Sequence, residues 1–451
     1  MADKTRAPTD DVRHFWHPFT QMAEYATLPR LTITQGKGCW LIDDQGKRYL
    51  DANASIWTST FGHRDPDLDF ALREQLDRVA HSTSLGLGNP ATQALAAKLA
   101  QISPGQLNRV FFSDNGSNAV EIALKLSFQF WQLTGRPEKR RVVALEHAYH
   151  GDTFGTMAVG DCGGFHARFS PWFFPVTRFP APPHREAGGQ VFSTNTRPSL
   201  EALEAYLSVS AGETAALIME PGMQGAGGMR PQPRGFVQQV AELCRRYDVH
   251  LILDEVFVGF GRLGDLLVCE SEGVTPDFLC LAKGLSAGYL PLAATVTSDA
   301  IFDAFLGEID EWKAFYHGHT FTGNPLACAV SLKNIEKLEA LIESGQVAQT
   351  VSSFTARIRE RCLGHPAFPE ISQRGLAARL ALPEGFPTNQ RVGMQVAIEA
   401  RNSGLILRPL GDSLLVVPPL IISDHELDFL FDGLLDAAEN VLSRYTSIAT
   451  V

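Results

Sequence analysis

The chain has 451 residues, 45% of them hydrophobic and 20% charged, enough for two or three domains with ample core. Its net charge of −11, with no basic run dense enough to track phosphates, argues against a nucleic-acid partner. No apolar run approaches bilayer length, which argues against a membrane protein.

The start, MADKTRAPTDD, is polar and lacks the apolar core of a secretory signal. Seven cysteines (39, 162, 244, 269, 280, 328 and 362) are odd in number and never spaced as CxxC. They read as free thiols of a cytoplasmic protein, and no metal site is expected.

In chain order, HFWHPFTQM (14–22) is an aromatic segment broken by Pro18. It either docks on the body or sits at a pocket mouth. GCWLIDDQGKRYLD (38–51) alternates around Asp-Gln-Gly and predicts a hairpin. ANASIWTSTFGH then reads as a loop. The spacing of Leu68, Leu72, Leu76 and Val79 predicts a helix over 67–82, and another is expected over 90–102. RVFFSD (109–114) is a short strand, followed by the turn Asn115-Gly116-Ser117-Asn118 and a helical run with a favourable Glu121–Lys125 pair. Strand, Gly/Ser turn and helix point free N–H groups and a positive dipole end at an anion. The same turn can also merely cap a helix.

A strand over 141–146 runs into HAYHGD, where Tyr149 could stack on a planar ligand or simply pack. Residues 160–198, rich in Gly, Pro and Phe, suggest a long ordered excursion. A strand over 215–219 ends in Glu220-Pro221, and QGAGGM (224–229) reads as a mobile glycine loop. An amphipathic helix over 236–247 feeds the apolar run Leu251-Ile252-Leu253, which ends in Asp254-Glu255. Phe278 to Ala282 is a second such run, ending on Lys283, and 293–297 is a last strand.

This alternation predicts an α/β fold with a mostly parallel central sheet covered on both faces. FYHGHTFTGNPLACAV (315–330) is a polar turn entering a helix. Its His317 and His319, at i and i+2, suit hydrogen bonding better than a metal. From 331 the character changes to charged helices, short strands around RGLAARLAL and GLILRPLGDSLLVVPP, and a helix from Asp424. The expected division is therefore 66–330 as a large domain and 331–451 as a smaller α+β domain, with the hairpin-bearing 1–65 joined to the latter.

A lysine or an acid at a strand end ordinarily just reaches solvent. Here an anion turn (Gly116, Ser117, Asn118), a candidate stacking ring (Tyr149), an acid (Asp254) and a lysine (Lys283) fall on one sheet edge, where open α/β sheets bind ligands. Pyridoxal phosphate uses all four: a phosphate, a flat ring, a ring nitrogen best kept protonated, and an aldehyde that condenses with lysine. A dinucleotide enzyme is disfavoured, since no strand–GxGxxG–helix with a following acid is present.

SDNGSNAVEIALK, YHGDTFG, LILDEVFVGFGRLG, LCLAKGLSAGYLP and HTFTGNPLACAV resemble the class III (subgroup II) aminotransferases of pyridoxal-phosphate fold type I. The resemblance runs from WHPFTQM to RPLGDSLLVVPPL. It implies a homodimer with shared active sites and a small-molecule amino donor and keto acceptor. Gly116, Ser117 and Asn118 would hold the phosphate, Tyr149 stack on the ring, Asp254 pair with its nitrogen, and Lys283 form the Schiff base. Thr320 would reach the neighbouring subunit's phosphate, Arg408 would bind the acceptor's carboxylate, and Phe19, Trp57 and Tyr149 would face substrate.

WHPFTQM, AYHGDTFGTMAVGD, MQGAGGM, GHTFTGNPLACA and LRPLGD are most similar to the biotin-pathway branch of that family, which aminates 7-keto-8-aminopelargonate. The rival within the family acts on ω-amino acids or diamines with pyruvate. Phe19 and Ile56 stand where the adenosylmethionine-using members of the branch carry Tyr and Trp, which leans towards lysine as donor. Val258 and Leu263 replace family threonines, and Arg379 replaces an apolar strand residue.

Overall fold

The computed structural model describes residues 13–182, 184–187, 190–193 and 195–446. Seven strands make the central sheet: β1 Leu107–Ser113, β2 Arg141–Leu145, β3 Val176–Phe179, β4 Thr214–Met219, β5 His250–Asp254, β6 Phe278–Leu281 and β7 Ala293–Ser298. Across the sheet they run β1-β7-β6-β5-β4-β2-β3, all parallel except β7, which is antiparallel to both neighbours. The central strands are buried at every residue. Leu251 and Leu253 enter one core cluster while Ile252 enters the other, as period-2 side chains must when helices cover both faces.

The Pro90–Ile102 helix matches its expected limits. The preceding one does not: it spans Pro66–Leu76, six residues short of the expected end. Asp65 caps it and Pro66 occupies the first turn. At the other end the Gln75 side chain donates to Val79 O at 3.0 Å, and Val79 lies exposed rather than completing the apolar stripe.

The 160–198 stretch is less of an excursion than its composition suggests. Val176–Phe179 is the edge strand β3, paired in register with β2, and the strands His184–Ala187 and Gln190–Ser193 extend a second sheet. QGAGGM is not loose either. Gly225 N donates to Glu220 at 2.8 Å, and a Cβ at Gly227 would stand 1.7 Å from His147 O, so this backbone is locked against its neighbours.

That second sheet adds Glu370–Arg374, Ala377–Ala381, Ser413–Val416 and Arg408–Leu410. Ile33–Lys37, Trp40–Asp43 and Arg48–Asp51 form a meander whose last strand pairs with Leu405–Ile406, so residues early and late in the sequence share one sheet. Arg379 has a structural account: it donates to Ser413 Oγ at 2.8 Å and to Glu370 at 3.2 Å, across strands on either side. Val258 and Leu263 are buried with Trp57, Met223 and Leu415, apolar packing at positions where hydroxyls would need partners.

Candidate active site

β5 and β6 pair in parallel with Asp254 opposite Cys280, so Lys283 emerges just past the carboxylate on the same edge. Ala282 is extended and Lys283 itself takes φ 43°, turning the chain into a single 3₁₀ turn, Lys283–Ser286. Gly284 is required there, because a Cβ would stand 2.9 Å from Phe260 Cβ. Asn334 locks this turn by donating to Gly284 O at 2.8 Å and Leu285 O at 3.0 Å, and it accepts from Thr60 at 2.9 Å. Lys283 Nζ lies 5.1 Å from the Trp57 ring centroid and 5.8 Å from that of Phe257. Burial lowers its pKa below the ordinary lysine value, against the pull of Asp254 and Glu220.

Asp254 is buried. One oxygen accepts from Val256 N at 3.0 Å and the other meets His150 Nδ1 at 2.7 Å. The His150 side chain is fully enclosed, and its Nε2 has no partner among the described residues. Glu220, at the end of β4, accepts from Gly225 N and from Tyr149 N at 3.2 Å, and burial pushes its pKa up to about 7. Glu255 turns the other way. It accepts from Val268 N at 2.7 Å and Cys269 N at 2.6 Å, which ties down the loop after β5.

β1 delivers the anion turn. Asn115 caps the Gly116–Leu133 helix by accepting from Asn118 N at 3.0 Å. A Cβ on Gly116 would lie 2.5 Å from Val256 Cγ1, and one on Gly151 2.1 Å from Ser117 Oγ. The two glycines let this turn, the Tyr149 segment and the loop after Asp254 close on one another. The Tyr149 hydroxyl donates to Asp152 at 2.7 Å; burial, with this bond, raises its pKa well above the usual phenol range. Asp152 also meets His166 Nε2 at 3.0 Å.

Gly116, Ser117, Tyr149, Asp254, Lys283 and Trp57 all line one cavity of about 410 Å³. Four other expected residues are not in its lining. Asn118 follows Ser117 in the first turn of the same helix, its amide 3.5 Å from His319 Nδ1. Phe19 is exposed, its ring edge-on to Phe165 with centroids 6.0 Å apart. Thr320 is exposed in the turn before the Pro325–Glu343 helix. Arg408 opens the strand Arg408–Leu410. It is exposed there, although its neighbours desolvate the guanidinium enough to draw its pKa down against the opposing charge of Tyr149. His317 and His319 do bond: to Lys125 at 2.8 Å and to Asp114 at 2.8 Å.

His150 and Glu220 are the residues that sequence reasoning passed over. HAYHGD shows a histidine beside the tyrosine, but nothing local says that it turns back onto Asp254.

An amine, a carboxylate backed by a buried imidazole, and a helix start whose first amides lack intrahelical partners now share one strand-end cavity. The arrangement is that of the fold-type-I pyridoxal-phosphate transferases, and the cradle fits that cofactor. Two glycines leave room at the phosphate end, and the Asp254–His150 pair is shielded from water where a ring nitrogen would lie.

Comparison with known proteins agrees. The model of the aminotransferase class-III family matches residues 21–438. The adenosylmethionine-8-amino-7-oxononanoate aminotransferase of Geobacter sulfurreducens is 46% identical, covering 94% of this chain and 95% of the relative. That of Aquifex aeolicus is 42% identical over the same shares. Among solved structures, the enzyme of that name from Methanocaldococcus jannaschii superposes with a TM-score of 0.90 at 37% identity, covering 96% of this chain and 98% of the other. A PLP-bound amine transaminase from an uncultivated Pseudomonas species gives 0.88 at 31% identity, covering 95% and 99%. The chain belongs to the class-III aminotransferases, and it is a pyridoxal-phosphate-dependent enzyme.

Proposed function

We propose that this enzyme transfers an amino group to the ketone of 8-amino-7-oxononanoate (7-keto-8-aminopelargonate) to give 7,8-diaminopelargonate, a step of biotin synthesis. The observation that carries the reading is the cavity shared by Lys283, Asp254 and the Gly116–Ser117 turn, in a chain 46% identical to a relative named for that substrate.

Bound pyridoxal phosphate supplies an aldehyde to receive the donor's nitrogen and a ring to take up the electrons released as a Cα–H bond breaks. The chain's residues do the rest. Asp254 would keep a proton on the ring nitrogen, and His150 and the Val256 amide leave its carboxylate one orientation. Lys283 Nζ takes the proton from the donor's α-carbon and returns one to the acceptor's carbon, the lowered pKa favouring the free amine that does this. Gly116, Ser117 and Asn118 would hold the phosphate at the helix start, and Tyr149 would cover one ring face. Arg408 would pair with the acceptor's carboxylate, with Phe19 and Trp57 walling the substrate.

The assembly we propose is a homodimer, in the cytoplasm, in which Thr320 reaches the partner's phosphate. Supporting it, Thr320 lies outside its own cavity, in an exposed turn with Tyr316 and Phe321. That turn meets the Ser84–Leu85 segment through Ser84 Oγ and Thr322 O, and together they present apolar side chains that a second copy would cover.

Purified enzyme offered 8-amino-7-oxononanoate and pyruvate tests the acceptor; preference for pyruvate would overturn the reading in favour of an amine transaminase. For the donor, the relatives' names carry adenosylmethionine, whereas Phe19 and Ile56 favour lysine. Adding each amine alone to the loaded enzyme, and following the cofactor's absorbance, shows which one empties into it.

A further inference from the structure

Residues 54–57 form one turn of left-handed helix: φ is 43° at Ala54, 46° at Ser55, 65° at Ile56 and 67° at Trp57. Four consecutive residues there with no glycine is strained backbone, costliest at β-branched Ile56, and it persists only where the surroundings over-determine it. They do so here. Trp57 N donates to Asn53 O and Thr58 N to Ala54 O, both at 2.9 Å. Ser55 Oγ donates to Asp51 Oδ2 at 2.8 Å, and the same oxygen meets His63 Nε2 at 3.0 Å. Asn53 Oδ1 accepts the Trp57 indole N–H at 2.9 Å. Asp51 and Asn53 are buried. Beyond the turn, Thr58 closes on Gly288, where a Cβ would stand 2.8 Å from Thr58 Oγ1.

What the strained turn delivers is the indole of Trp57, packed on Phe257 with centroids 4.5 Å apart and within 5.1 Å of Lys283 Nζ. A relaxed right-handed or extended backbone would aim this side chain elsewhere. We propose that Asp51 and Asn53 are positioning residues acting through Trp57: Asp51 holds the left-handed turn, and Asn53 fixes the rotation of the indole. The tryptophan then stands as a rigid wall of the cavity beside the Lys283 amine, against which the incoming substrate would lie. This rests on the reading of Trp57 as a substrate wall.

The test is a double-mutant cycle on Asn53→Ala and Trp57→Phe, with kcat and acceptor KM measured for each. Losing the indole's one hydrogen bond should raise KM about 10-fold in either single variant, with kcat within about 3-fold of wild type. If Asn53 acts through the indole, the double variant is no worse than Trp57→Phe alone, and Asn53→Asp, which keeps the acceptor oxygen, restores KM. The Trp57 fluorescence, read as the difference from Trp57→Phe, should shift in Asn53→Ala before any substrate is added. Ile56→Gly accepts the left-handed conformation without strain, so it should keep or raise Tm and leave KM near wild type, whereas Asn53→Ala raises KM. Multiplying effects in the double variant, or parallel losses of kcat, Tm and cofactor content in Asn53→Ala, would overturn the proposal. An enzyme inactive on 8-amino-7-oxononanoate would sink the functional reading alone, because the cycle can be run on any acceptor turned over.

Discussion

Replacing His150 with leucine removes the 2.7 Å contact to Asp254 while keeping an apolar side chain of similar reach in a fully enclosed site. The carboxylate retains one partner, the Val256 amide at 3.0 Å. A hydrogen bond to a charged group contributes roughly 1.5–3 kcal/mol, and more when buried. At about 1.4 kcal/mol per decade, the variant should bind pyridoxal phosphate about 10- to 100-fold more weakly, because a loosely held Asp254 grips the ring nitrogen less well. Titrating the apoenzyme with cofactor by absorbance measures this directly, and kcat/KM should fall alongside. Tm of the apoenzyme separates the effect from misfolding, and His150→Asn, which keeps a donor, should recover part of the loss. A His150→Leu enzyme that binds cofactor and turns over as wild type would refute the role given to the pair.

Three further outcomes follow from the same geometry. Burial raises the Glu220 pKa to about 7, so the native state holds a proton there that the unfolded chain releases at lower pH. The stability tied to that proton is fully present below the unfolded pKa and is lost as pH rises through about 7. Glu220→Gln cannot lose a proton, so its Tm relative to wild type should improve from pH 5 to pH 8; a flat difference would mean that Glu220 does not titrate in this window. Asn334→Ala strands Thr60 and the carbonyls of Gly284 and Leu285, which should cost roughly 2–4 kcal/mol of unfolding free energy, measured by denaturant titration, and slow catalysis by loosening the Lys283 turn. Gly116→Ala drives a Cβ to 2.5 Å from Val256; cofactor affinity should fall and partly return in the Gly116→Ala/Val256→Ala pair, measured by the same titration.

Much of the fold was legible because its signals are local. The continuous apolar runs at 251–253 and 278–281 could only be strands buried on both faces, and the structure buries every residue of each. Pro66 and Pro90 mark helix starts without help from the rest of the chain. Where a segment's state depends on distant partners, the signal failed. Val176–Phe179 carries no alternation that demands a strand; it is one because β2 offers it an edge. The QGAGGM glycines looked like freedom, yet at Gly225 and Gly227 the Phe257 ring and His147 O leave no room for a Cβ, and Gly228 takes φ 114°. Arg379 looked misplaced in an apolar strand, since its partners Glu370 and Ser413 lie on neighbouring strands.

The site divides along the same line. Lys283, Asp254 and the Gly116–Ser117 turn announce themselves because each stands at the end of its own element, where the chain order alone puts it on the carboxyl edge of the sheet. What orients them comes from afar. His150 reaches Asp254 across 104 residues and Asn334 reaches Gly284 across 50. Trp57 is aimed by a backbone conformation that no residue type in ANASIWTSTFGH advertises, since the segment puts alanine, serine, isoleucine and tryptophan where glycine would be expected. A strained turn without glycine survives only when its partners hold it. The absence of glycine from 54–57 is therefore the reason to look for function in Asp51 and Asn53, which do the holding.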